Sequence, residues 1–102
     1  MSDFIIRHFV YNFFNMEDKK FYVYILLTER DTYYCGYTDD VERRFELHKS
    51  GKGAKYTRAN KPIKIIYTHE FDTKSEAQKE EYRIKNLSKQ KKIELINSYN
   101  KL

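Results

Sequence analysis

The residues of this chain whose types can do chemistry together are two tyrosine motifs, Tyr22-Val23-Tyr24 and Tyr34-Cys35-Gly36, followed by Arg44, His48 and Glu81. An arginine offers a planar, permanently charged fork for phosphate oxygens. A carboxylate offers a hard oxygen ligand for a divalent cation, and a phenol or an imidazole can carry a proton. Tyrosines on paired strands, facing a helix that bears Arg44 and His48, with Glu81 brought in from further along, would make a site for cutting phosphodiesters. Each residue also has an ordinary reading. Aromatic residues favour strands and pack cores, a histidine near a helix end can serve the dipole, and Glu81 can pair with Lys85 one turn on.

The elements that must position these groups are legible in the pattern. Phe21 to Thr28 is rich in Val, Ile, Tyr and Leu and reads as a buried strand. Thr32 to Tyr37 reads as its partner, with Glu29-Arg30-Asp31 turning between them. Tyr22 and Tyr24 then share one side of the strand and Val23 takes the other. Gly36, inside a strand, marks a bend or a close backbone approach, as by a phosphate or another element. Thr38 with Asp39 and Asp40 starts a helix over about Asp39 to Ser50, which Gly51 ends. At 100° per residue Val41, Arg44, Phe45 and His48 share its core-facing stripe. Arg43 fits a solvated, ion-paired side chain; Arg44 does not.

Gly51 to Pro62 reads as a basic loop, Ile63 to Phe71 as a third strand, and Thr73-Lys74-Ser75-Glu76 as a capping box opening a helix to about Leu87. Ala77, Ile84 and Leu87 define that helix's apolar face, with Glu80 and Glu81 on opposite sides of it, and periodicity does not choose between them. Lys89 to Tyr99 is a further amphipathic segment with Ile93, Ile96 and Tyr99 at helical spacing. The order is β-β-α-β-α-α.

Composition narrows the partners. A chain of 102 residues makes one domain, and a net charge of +5 with an isoelectric point near 9.2 favours anions, nucleic acid first. The single Cys35 excludes an internal disulfide and, with three histidines, a structural zinc site. Phe4 to Phe14 is apolar but too short to cross a bilayer, contains Arg7 and His8, and follows Asp3 rather than a basic segment. No membrane segment or secretory signal is expected, and the cytoplasm is the expected location. Residues 1–20 are expected to be an N-terminal appendage to a domain spanning 21–98.

Taken together, Tyr22-Val23-Tyr24, Tyr34-Cys35-Gly36, Arg44 in Asp40-Val41-Glu42-Arg43-Arg44, His48 and Glu81 resemble the GIY-YIG nuclease domain. The likeness runs over roughly Phe21 to Leu95 and is nearest to small stand-alone bacterial members, whose Ser-Gly-Lys-Gly-Ala-Lys loop stands here as Ser50 to Lys55. The resemblance implies an α+β fold, a three-stranded antiparallel sheet flanked by helices, and phosphodiester hydrolysis with one divalent metal, Mg²⁺ or Mn²⁺. It implies catalytic roles for Tyr24, Tyr34 and Arg44, with His48 beside them, and metal binding by Glu81 rather than Glu80. Tyr for Gly and Val for Ile in the first motif, and Cys for Ile in the second, depart from the family pattern but spare these positions.

Lys52, Lys55, Tyr56, Arg58 and Lys61 crowd the basic loop and suit contacts along a nucleic-acid backbone, which position a strand without reading its sequence. The expected activity is a metal-dependent nuclease on DNA with little sequence preference, serving repair or processing. The alternative is a catalytically silent nucleic-acid-binding module of the same fold.

Overall fold

The computed structural model describes residues 19–100. The expected appendage, 1–20, lies outside the described residues except for its last two. Lys19 pairs with Asp39 at 2.9 Å and Lys20 with Asp72.

Strands β1 (Phe21–Thr28) and β2 (Tyr33–Thr38) form an antiparallel hairpin in which Tyr24 faces Gly36 and Leu26 faces Tyr34. Its turn is organised by Thr28, whose hydroxyl accepts from the N–H groups of Arg30 (3.3 Å) and Thr32 (3.2 Å). Asp31 takes a left-handed φ of 60°, a conformation that short polar side chains tolerate. Strand β3 (Pro62–Phe71) pairs antiparallel with the other side of β1, giving the order β2-β1-β3. Its leading proline stands at the start of an edge strand, where a missing N–H does no harm.

Alternation then divides the sheet into two faces. Val23, Ile25, Cys35 and Tyr67 point toward helices α3 (Lys74–Lys85) and α4 (Lys89–Asn100) and form the main core with Ala77, Ile84 and Ile96. Tyr24, Leu26 and Thr28 occupy the other face and are almost fully buried with His48 and Thr57. Those two residues belong to helices α1 (Val41–Lys49) and α2 (Lys55–Ala59). The described residues therefore form two buried zones, one apolar and one carrying polar groups.

Two features differ most from expectation. The cap of α1 is Asp40, whose carboxylate accepts from the N–H of Arg43 at 3.1 Å. Thr38 is still paired with Tyr22 in the sheet and cannot begin the helix. The basic segment contains α2, a single short helix, where a loop was expected; otherwise the order is β-β-α-β-α-α. Thr73 caps α3 by accepting from Glu76 N–H at 3.1 Å, as its position before Glu76 implies.

Candidate active site

A polar cleft of about 420 Å³ opens on the β2 side of the molecule. Its walls bring together Tyr24 from β1, Tyr34 from β2, Arg44 from α1 and Glu81 from α3. Gly36, Tyr37, Thr38, Arg43 and Leu47 complete the walls. Four of the expected site residues thus meet in one place, although more than fifty positions separate the first from the last.

Tyr24 reaches the cleft because Gly36 opposite has no side chain. A Cβ there would stand 2.5 Å from the Tyr24 hydroxyl oxygen, well inside contact distance. The close approach expected at Gly36 is made by this phenol. Burial, with Tyr34 alongside, pushes the Tyr24 phenol well above its ordinary range, and the adjacent Arg44 guanidinium pulls the other way. Its hydroxyl lies 2.8 Å from His48 Nε2.

His48 is not in the cleft wall. It sits behind Tyr24, 1% exposed, held between β1 and α2. Its Nδ1 is 2.7 Å from Thr57 Oγ1, and Thr57 donates its own proton to Ala54 O at 3.2 Å. With that proton on Ala54 O, Thr57 can accept from His48 Nδ1–H, which leaves the Nε2 lone pair for the Tyr24 O–H. Burial first, and the Arg44 charge second, lower the His48 pKa to about 4, so the ring is neutral at physiological pH. Gly53 packs flat on it, since a Cβ at that position would collide with the ring at Nδ1 and Cγ.

Arg44 is half-buried and donates from Nη2 to Gly53 O at 2.9 Å. Among the described residues it has no carboxylate partner, so most of its donors remain for a ligand. Arg43 instead pairs with Asp39 at 3.2 Å, as expected of a solvated side chain, yet it also borders the cleft. Tyr34 meets the His48 ring edge-on with centroids 4.9 Å apart and stacks on Tyr56 at 6.0 Å and 21°.

The two glutamates separate cleanly. Glu80 binds Arg83 through both carboxylate oxygens, one bond being 3.1 Å, and lies 4.0 Å from His69 on β3. Glu81 faces the cleft, on the side of α3 where Gln78 donates to the Tyr37 hydroxyl of β2 at 3.0 Å. It also pairs with Lys85 at 3.0 Å, so the ordinary reading of Glu81 holds alongside its place in the cleft. No cluster of three or more metal-ligating side chains exists among the described residues. A lone hard oxygen donor in an open polar cleft fits a Mg²⁺ or Mn²⁺ ion that keeps most of its waters.

Lys52, Lys55, Arg58 and Lys61 are exposed around α2 and do not line the cleft; Tyr56, on the same helix, does not line it either and stacks against Tyr34 from outside. Sequence reasoning missed Thr57 and Gly53. The glycine-rich run before α2 was the available signal for a close approach, while a buried threonine in a basic segment carries none.

The GIY-YIG catalytic domain family profile matches residues 20–97. A UPF0213 protein of Staphylococcus saprophyticus is 48% identical over 77 residues, covering 76% of this chain and 94% of the relative. One of Halobacterium salinarum is 51% identical over 75 residues, covering 74% and 97%. The solution NMR structure of a UPF0213 protein from Bacillus halodurans matches with TM-score 0.51 and 47% identity over 76% of this chain and 83% of that one. The solution NMR structure of a protein from E. faecalis matches with TM-score 0.57 and 39% identity over 82% of this chain and 90% of that one. No helix among the described residues is long and apolar enough to cross a membrane. With nearly the whole described region matched and the tyrosines, arginine and glutamate converging on one cleft, the chain belongs to the GIY-YIG catalytic domain family.

Proposed function

We propose that this protein is a metal-dependent nuclease that hydrolyses phosphodiester bonds in DNA with little sequence preference, acting in the cytoplasm in DNA repair or processing. The observation that carries the reading is the convergence of Tyr24, Tyr34, Arg44 and Glu81 on one polar cleft.

Arg44 is the phosphate anchor. Its bond to Gly53 O fixes the guanidinium, and its remaining donors match the non-bridging oxygens on which charge grows during displacement. Glu81 would hold the divalent ion, which supplies Lewis-acid stabilisation of the developing charge when bound.

Tyr24 is the proton acceptor for the attacking water. A phenol with a raised pKa is a poor reservoir of phenolate but a good conduit: it accepts the water proton as its own proton passes to His48 Nε2, 2.8 Å away. Neutral His48 has that lone pair free because Thr57 holds the Nδ1–H. Tyr34, which lines the same cleft without a histidine acceptor at its hydroxyl, orients the water or phosphate. The exposed cations around α2 track the backbone of the nucleic acid.

The test is cleavage of labelled single-stranded, duplex and branched DNA with Mg²⁺ or Mn²⁺ and with chelator, beside Glu81→Ala. Metal-dependent products that vanish in the variant are expected. Salt-sensitive binding by both proteins without cleavage of any substrate would replace the nuclease with a silent binding module.

A further inference from the structure

A second cleft of about 250 Å³ adjoins the first, and Tyr34 forms a wall of both. Its interior is largely apolar, backed by Ile25 and Ile84, with Tyr56 at its mouth and Lys85 and Lys92 at its rim. Tyr56 is 41% exposed, yet its ring is fixed: its hydroxyl donates to Thr32 Oγ1 at 2.8 Å, and its face lies nearly parallel to Tyr34. The Lys92 ammonium has no acidic partner among the described residues, and Lys85 is held by Glu81 between the two clefts.

We propose that this cleft is a binding subsite for one unpaired nucleobase of the nucleic-acid substrate, the nucleotide next to the phosphodiester held at Arg44. The proposal rests on the nucleic-acid-cutting role of the first cleft and deepens it. An aromatic and aliphatic slot rimmed by ammonium groups is complementary to a flat heterocycle carrying a phosphate, and base stacking on tyrosine tolerates any base. Sharing Tyr34 puts the slot one residue from the reacting phosphate. A base inside an intact duplex has both faces covered by its neighbours and must leave the stack to enter. The preferred substrates therefore have an unpaired or readily extruded nucleotide beside the cut.

The experiment uses the whole protein in chelator, so that binding is read without cleavage. Its ligands are a ten-nucleotide single strand and a series in which one abasic site is moved along it. The expected result is one position at which removing the base weakens binding about tenfold. Tyr56→Ala should weaken binding of the intact strand by the same factor and leave that abasic strand unchanged. Equal affinity for every abasic strand, or equal weakening of all strands by Tyr56→Ala, would overturn the subsite. If Tyr56→Ala melts at the assay temperature, the wild-type abasic scan decides alone. Base-dependent binding by a protein that never cleaves would sink the nuclease and keep the subsite; cleavage without base dependence would do the reverse.

Discussion

At the level of single residues, the site depends on contacts too close to adjust. Gly36→Ala places a methyl group 2.5 Å from the Tyr24 hydroxyl oxygen, against a ring that cannot retreat because His48 lies behind it. We expect a loss of roughly 1–3 kcal/mol in urea unfolding, as for overpacked cores, with metal-dependent cleavage falling alongside. Thr57→Val keeps the shape but deprives His48 Nδ1–H of its acceptor, leaving a buried donor unsatisfied at a cost of about 1–3 kcal/mol. Thr57→Ser should restore most of that stability, and nitrogen chemical shifts of His48 should return to the Nδ1–H tautomer. That Tyr24, Tyr34 and Arg44 would meet was legible in advance from residue type and spacing, and the structure brings them to one cleft. Glu81 could not be told from Glu80 by periodicity, since what separates them is Arg83 and His69 on one side and an open cleft on the other.

Among the elements, α1 is the one whose placement matters most, since it delivers both Arg44 and His48 to Tyr24. Its start is held by the Asp40 carboxylate, so Asp40→Ala should cost about 1 kcal/mol and lower the melting temperature by several degrees in circular dichroism. The strands and α3 were readable because apolar and β-branched runs and a threonine three residues before Glu76 are local signals. Helix α2 was not. It spans one short turn, its N-cap Ala54 makes no side-chain bond, and its one buried residue is Thr57, so neither periodicity nor capping announces it. It forms because Thr57 is bonded to His48 and Tyr56 to Thr32, both tertiary contacts invisible in a window of sequence.

Across the whole molecule, titration and charge have measurable signatures. The folded pKa of His48 is lowered to about 4 from 6.5, so above pH 6.5 neither the folded nor the unfolded state protonates it. Between pH 6.5 and about 4 only the unfolded chain takes the proton, and stability falls with falling pH by an amount of order 3 kcal/mol. Urea midpoints measured across that window should show the decline, and His48→Gln should flatten it. Replacing Lys52, Lys55, Arg58 and Lys61 together by alanine should reduce the salt dependence of single-strand binding, by roughly 0.7 in logarithmic slope for each phosphate that is no longer neutralised. Cys35 has a different consequence. Its thiol is 8% exposed in the core beneath β2, and burial raises its pKa to about 12, so a thiol-selective reagent finds almost no thiolate in the folded protein. As the chain's single cysteine and part of the second cleft's lining, it is a built-in clock for how often that cleft opens to a reagent.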